Sequence, residues 1–405
     1  MDKFIVKGPS KLKGEIAISG SKNAALPILA STILFEKEVV IKNLPRVKDI
    51  DTMINLLKSL GSIVKFSKDK KTVKITKKKK HKFFASYSLV RTMRAGILVL
   101  GALVAKYQKS ITSLPGGCLI GARPINYHLN ALKKLGMKYE IKKGYIHANS
   151  KGKLKGAKIR FSKISVGATE NTIIAACLAN GITILRNCAI EPEIIDLINF
   201  LKSGGAKIKF IGKRTVRIEG VKILNSTIYS VMSDRIETGT FCVAACLTGG
   251  NLKINNFDPK IIKAELSLLR KVGAKIKNIT NLVTKEYPNF PTDLQAQFMV
   301  LLCKAKGKSS ITESIFENRF MHVAELRRLG AEIIIKKNKA LILGSTNFKA
   351  AELMSSDLRA SVALVLAALV AKGTSIINRI YHLDRGYENI ENKLRKVGAK
   401  IRRIS

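Results

Sequence analysis

Tryptophan is absent from this sequence, aromatic residues make up only 6% of it, and none of them interleaves with its runs of lysine. Surfaces that grip single-stranded nucleic acid alternate stacking platforms with basic residues, so the excess of 73 Lys and Arg over 28 Asp and Glu does not by itself describe one. The lysines are spread along the whole chain, as in Lys77 to Lys80, Lys142-Lys143 and Lys336-Lys337, which is the pattern of solvated faces. A net charge of +45 keeps a basic nucleic-acid-binding protein as an alternative, and it draws in small acidic molecules in either case. Long apolar runs are missing too. The longest, Ala95 to Ala105 and Ala360 to Ala371, each stop at a lysine, short of the ~20 residues that cross a bilayer. The opening MDKFIVKGPSKLKGE has neither an apolar h-region nor a cleavage site, so a cytoplasmic protein with no membrane partner is expected. Cysteine is sparse, six in all, with Cys242 and Cys246 the one close pair, and the five histidines are scattered. That excludes a disulfide framework and a zinc signature, and no metal site is predicted.

What is present is ample apolar material, 46% of residues, in a chain of 405. Such a length exceeds one ordinary core and predicts two domains of about 200 residues each. Repeats decide the rest. An amphipathic segment ending at a glycine and running into a strand recurs as INLLKSLGSIVKF, LNALKKLGMKYEI, INFLKSGGAKIKF, LSLLRKVGAKIKN, VAELRRLGAEIII and IENKLRKVGAKIRRI, with Gly61, Gly136, Gly205, Gly273, Gly330 and Gly398 where a C-terminal helix cap belongs. In phase with it runs a second segment that is apolar on nearly every side: NAALPILASTILF, RTMRAGILVLGALVA, ATENTIIAACLAN, ETGTFCVAACLT, DLQAQFMVLLCKA and DLRASVALVLAALVA. Helices of that kind are buried all round. Each is followed by a short β-rich piece, so the unit is an inner helix, a strand, an amphipathic helix and further strands. Three units form one domain, residues 20–232, and three the other, residues 1–19 plus 233–405. The boundary falls near Val231-Met232-Ser233-Asp234, and an opening strand within Phe4 to Ser19 is expected to join the C-terminal sheet. Two chain crossings between the domains then make a hinge.

One loop concentrates chemistry: Pro115-Gly116-Gly117-Cys118-Leu119-Ile120-Gly121-Ala122-Arg123-Pro124. Its glycines allow tight turns and close approach to a ligand. A thiol there, five residues before Arg123, is a candidate for acid-base or covalent work. The inner helices open on polar or charged residues, among them Ser21-Lys22-Asn23, Arg91-Thr92-Met93-Arg94, Ser165 to Thr169, Asp234-Arg235, Thr292-Asp293 and Asp357-Leu358-Arg359. Ser, Thr, Asp and Asn serve there as ordinary caps. Cations are disfavoured at a helix N-terminus, so Lys22, Arg94, Arg235 and Arg359 call for a counter-anion, which a bound ligand would supply in a cleft between the domains. Asp293 reads equally as a cap or as a base for a substrate hydroxyl. Arg319 and Arg385 lie just after the strands of units five and six, positions that suit either a phosphate contact or the surface.

Ser21-Lys22-Asn23-Ala24-Ala25-Leu26-Pro27, PGGCLIGARP, Ser165-Val166-Gly167-Ala168-Thr169, Asp234-Arg235-Ile236-Glu237-Thr238-Gly239, FPTDLQAQ, FENRFMH, DLRAS and IYHLDRGYE together resemble the UDP-N-acetylglucosamine enolpyruvyl transferases of peptidoglycan synthesis, essentially end to end. The resemblance implies an α/β fold of two inside-out α/β barrel domains, each a threefold pseudo-repeat with buried central helices, with the active site in the interdomain cleft. It implies that the sugar 3′-hydroxyl adds to phosphoenolpyruvate, that the methylene carbon is protonated, and that the intermediate expels phosphate, with no cofactor, no metal and no obligatory protein partner. On the matching positions, Cys118 would be the general acid and the residue alkylated by fosfomycin, and Asp293 would take the hydroxyl proton. Lys22, Asn23, Arg123, Arg319, Arg359 and Arg385 would hold phosphoenolpyruvate, Lys22 and Arg385 with a part in catalysis, and Asp357 would help complete the cleft. Arg94, Arg123, Pro124, Ile125, Asn126, Tyr127, Lys163, Ile164, Ser165, Val166, Asp293 and Ile315 would bind the nucleotide sugar. Two positions depart from the family pattern, Leu98 in place of Trp and Asn126 in place of Asp. The sister transferases that act on shikimate 3-phosphate share the architecture and chemistry and lack the PGGCLIGARP loop.

Overall fold

The computed structural model describes residues 2–78, 81–116, 125–271 and 281–405, with backbone alone at 270 and 271. They divide into two compact units, one of residues 20–116 and 125–232, the other of residues up to 19 with 233–405.

In the first unit the inner helices are Lys22–Ser31, Leu98–Tyr107 and Val166–Ala176. Their small and aliphatic side chains are almost wholly buried, including Ala24, Ile28, Leu29, Leu100, Val104, Ile173 and Ile174. Polar residues survive there because they are locally bonded: the Ser31 and Thr32 hydroxyls donate to the carbonyls of Ile28 and Leu29, and Ser21 and Ser165 cap their helices by accepting from the amides of Ala24 and Ala168. Outside them lie the amphipathic helices Lys48–Ser59, Asn126–Lys134 and Pro192–Ser203, and three four-stranded sheets. Each sheet has one plan. A strand pairs parallel with a central strand, which pairs antiparallel with a hairpin, as in Phe84–Ala85, Lys109–Ser113, Tyr145–Asn149 and Lys138–Lys142. Thr227–Ser230, the last strand of this unit, closes the ring by pairing parallel with Val39–Lys42 of the first repeat.

In the second unit the inner helices are Arg235–Thr248, Gln295–Lys304 and Leu358–Val370. The expected single opening strand is two strands in two sheets. Lys3–Gly8 runs antiparallel between Gly373–Asn378 and Lys400–Ile404, where the other sheets carry their second hairpin strand, and Lys13–Ala17 pairs parallel with Asn251–Asn255. The chain start thus completes the sixth repeat and the fourth. Each unit is an inside-out α/β barrel, helices within and sheets without.

Among the described residues, the repeat glycines Gly61, Gly136, Gly205, Gly330 and Gly398 all turn the chain at φ between 95° and 102°, a region side chains with a Cβ rarely adopt; Gly273 lies outside the described residues. Two details differ from expectation. The second inner helix does not begin at Arg91: a one-turn helix Tyr87–Val90 and a 3-10 turn Arg94–Ile97 precede Leu98–Tyr107, which no side chain caps. Arg235–Thr248 is not buried all round either, since Cys242 is half-buried and Cys246 exposed. Only the strand pair Asn251–Asn255 with Lys13–Ala17 forms the sheet of that repeat among the described residues.

Candidate active site

Lys22 is the first residue of its helix and is buried. Its Nζ lies 3.0 Å from Asp49 Oδ2 on the helix Lys48–Ser59. Arg235, first in its helix, points Nη1 at Glu265 Oε1 at 3.5 Å. Arg359 Nη2 lies 2.9 Å from Asp293 Oδ2. The expectation that a ligand supplies the counter-anions is therefore corrected for these three: carboxylates of the chain do so, because a buried cation left unpaired costs several kcal/mol, about 3–5 when one partner of a pair is removed.

Asp293 sits in the 3-10 turn Thr292–Leu294 ahead of Gln295–Lys304, and of its two sequence readings the cap is not the one observed. Its oxygens are divided between two buried arginines: Oδ1 accepts from Arg319 Nη2 at 3.0 Å and Oδ2 from Arg359 Nη2. Arg359 also donates through Nη1 to Tyr387 Oη at 3.3 Å. Burial works against its charge, but Asp293, Tyr387 and Asp234 outweigh that and hold the Arg359 pKa above the usual value. Tyr387 Oη is 2.9 Å from Thr240 Oγ1, and the Gln297 amide donates to both hydroxyls and to the Asp293 carbonyl. One residue from each of the three inner helices, Thr240, Gln297 and Arg359, thus meets at one tyrosine.

Asp357 is the N-cap of Leu358–Val370, accepting from the amides of Arg359 and Ala360. Arg385 ends the 3-10 helix Ile380–Arg385 and is half-buried. It stands near His382, whose pKa is lowered by burial and by the Arg385 charge. Ile315 is held by its backbone amide, which donates to Glu313 Oε1 at 2.9 Å. Glu313 is buried, accepts also from Thr284, Thr292 and the Phe316 amide, and so fixes the turn beside Arg319 to the turn bearing Asp293. No motif marked Glu313 in the sequence.

In the first unit, Asn23, Ile125, Tyr127, Ile164 and Ser165 are half-buried, whereas Asn126, Lys163 and Val166 are exposed. Two of these segments converge on His128. A Cβ added to Gly167 would come within 3.1 Å of the His128 ring, which ties the start of Val166–Ala176 to the start of Asn126–Lys134. The Asn171 amide donates to Ile97 O and contacts His128 Nδ1 at 3.1 Å, while its carbonyl accepts from the Gly101 amide. Both amide hydrogens being donated, Nδ1 is the acceptor and the imidazole proton sits on Nε2. Burial and then the Arg94 charge push the His128 pKa down to about 4. Arg94 is half-buried in the preceding 3-10 turn. His128 escaped the sequence reading; its one signal was position, directly after Asn126-Tyr127. Cys118, Arg123 and Pro124 lie outside the described residues. Among the described residues no group of three or more His, Cys, Asp or Glu side chains could hold a metal ion, and no helix is long and apolar enough to cross a membrane.

Residues 6–394 match the family described as EPSP synthase (3-phosphoshikimate 1-carboxyvinyltransferase), which defines the class as carboxyvinyl transferases. Solved structures agree on the fold: the enolpyruvyl transferase NikO from Streptomyces tendae superimposes with a TM-score of 0.89 at 21% identity, covering 99% of this chain and 98% of that one. EPSP synthase from Acinetobacter baumannii does so with a TM-score of 0.77 at 17% identity, with full coverage of both chains at 100%. Curated relatives narrow the class. The UDP-N-acetylglucosamine 1-carboxyvinyltransferases of Pelagibacter ubique and Pseudoalteromonas atlantica are 63% and 49% identical, each over 100% of both chains. The chain belongs to the UDP-N-acetylglucosamine 1-carboxyvinyltransferase family.

Proposed function

We propose that the protein transfers the enolpyruvyl group of phosphoenolpyruvate to the 3′-hydroxyl of UDP-N-acetylglucosamine and releases phosphate, the committed step of cell-wall peptidoglycan synthesis, in the cytoplasm. The observation that carries this choice of acceptor is the 63% identity, end to end, to a relative bearing that activity in its name. On this reading residues 20–232 form one domain and residues 1–19 with 233–405 the other.

The reading assigns a particular division of labour. Lys22, Asn23, Arg123, Arg319, Arg359 and Arg385 take the phosphate and carboxylate of phosphoenolpyruvate. When those anions reach Arg319 and Arg359, they compete with Asp293 for the same N–H donors. The Asp293 carboxylate, released from one or both, is then able to accept the proton of the sugar hydroxyl, as a general base requires. Cys118 delivers a proton to the methylene carbon. Arg94, the segments 123–127 and 163–166, and Ile315 hold the nucleotide sugar, with neutral His128 keeping two of these segments in register. Holding two polyanions together makes the addition a local event, an advantage worth ~7 kcal/mol or more.

The test is to mix the protein with phosphoenolpyruvate and UDP-N-acetylglucosamine and follow inorganic phosphate, with shikimate 3-phosphate as the competing acceptor and fosfomycin as the inhibitor. Phosphate release that requires the nucleotide sugar and is abolished by fosfomycin supports the reading. Release with shikimate 3-phosphate alone, or none with either acceptor, overturns it.

A further inference from the structure

Acidic residues are scarce in this chain, 28 against 73 bases, so the gathering of three of them on one arginine is informative. Arg403, on the last strand Lys400–Ile404, donates from Nε to Glu391 Oε1 at 2.9 Å and from Nη1 to Asp2 Oδ2 at 3.0 Å. Its other contacts form a fork on Asp384: Nη1 to Oδ2 at 3.1 Å and Nη2 to Oδ1 at 2.6 Å. Two parallel charge-assisted bonds of this kind fix orientation as well as distance, which a lysine cannot do. Below, the guanidinium lies over the Phe4 ring at 5.2 Å, so strand pairing in the sheet sets where it stands.

Asp384 immediately precedes Arg385 in the turn Ile380–Arg385. On the other side, Gly386 is pressed against the inner helix Leu358–Val370, since a Cβ there would come within 2.6 Å of Leu358 Cδ2. The backbone of Arg385 is thereby gripped on both flanks, by an ion pair before it and by a side-chain-free contact after it. We propose that Arg403 is a positioning residue for the reaction, holding Arg385 toward phosphoenolpyruvate through its fork on Asp384. The proposal rests on the reading of Arg385 as a phosphoenolpyruvate contact.

The experiment uses the full-length protein and measures phosphate release against phosphoenolpyruvate at saturating UDP-N-acetylglucosamine, for wild type, Arg403→Gln, Arg403→Lys, Asp384→Asn and Glu391→Gln, with thermal melting and UDP-sugar binding measured alongside. Loss of the fork raises KM for phosphoenolpyruvate about tenfold in Arg403→Gln and in Asp384→Asn, the scale of one charge-assisted interaction, while UDP-sugar affinity stays at the wild-type value. Arg403→Lys recovers part of the loss, and Glu391→Gln, which breaks a contact that does not lead to Arg385, leaves KM unchanged. If Arg403→Gln does not fold, Asp384→Asn decides, as it keeps the side-chain volume. A KM unchanged in both variants, or raised equally by Glu391→Gln, overturns the proposal, since the cluster then acts only as a brace. A wild-type protein that releases no phosphate overturns the functional reading instead, and the proposal falls with it.

Discussion

Asp293 and Arg359 stand 66 positions apart in the chain, yet their side chains meet at 2.9 Å, with Arg319 on the second carboxylate oxygen at 3.0 Å. One carboxylate thus pairs with two buried guanidinium groups and orients both. Asp293→Asn keeps the shape but removes the charge. Turnover is expected to fall by 10²-fold or more, the scale of a lost general base, ~10²–10⁴, and the melting temperature should drop because two buried cations lose their partner. Steady-state rates beside a melting curve check this, and an Asn variant with wild-type turnover would exclude Asp293 as the base.

Cys118→Ser should lose most turnover while UDP-N-acetylglucosamine still binds, because an alcohol is a far weaker acid than a thiol at neutral pH. Rates and calorimetric binding on one preparation test it. Equal loss of both would contradict the acid role.

Removing the Tyr387 hydroxyl strips a shared partner from Arg359, Thr240 and Gln297. Tyr387→Phe is expected to destabilise the protein by about 1–3 kcal/mol, the cost of buried polar groups left short of a partner. Urea denaturation measures it, and a change below ~0.5 kcal/mol would show the hub to be incidental.

Acid stability carries a signature of His128. Its folded pKa of about 4 lies below the ordinary value of 6.5, so below 6.5 the unfolded chain binds the proton that the folded chain refuses. Stability from this residue is full above 6.5 and falls as the pH is lowered toward 4, by about 2 kcal/mol at pH 5. Buried Asp196, raised to about 6 by burial, works in the opposite sense, its contribution being lost as the pH rises through that value. The comparison of wild type with His128→Asn isolates the histidine: the wild type should lose more stability between pH 7 and pH 5 than the variant. Parallel curves would refute the assignment.

The repeats could be read in the sequence because they are local. A glycine that ends a helix and an apolar run that must be buried are decided within a dozen residues, and Gly61, Gly136, Gly205, Gly330 and Gly398 indeed share one backbone conformation. The pairing of Asp293 with Arg319 and Arg359 could not be read that way, since nothing near Asp293 distinguishes a cap from a bridge. Asn171 illustrates the same limit: it sits inside an apolar segment, and only the fold reveals that it serves Gly101, Ile97 and His128, 70, 74 and 43 positions away. The carboxylate partners of the helix-start cations lie beyond local reading for a related reason. No acidic residue stands beside Lys22 in the sequence, and Asp49 reaches it from the next helix.

The strand Lys3–Gly8 lies between Gly373–Asn378 and Lys400–Ile404, partners that the ribosome makes long after it. Residues 20–232 can close their own ring during translation, but in the other unit Lys3–Gly8 must stay unpaired until Gly373–Asn378 and Lys400–Ile404 have been made, which gives its completion a high contact order. The same pairing sets Lys3 opposite Ile404, so this unit is clasped shut by two strands that lie far apart in the chain.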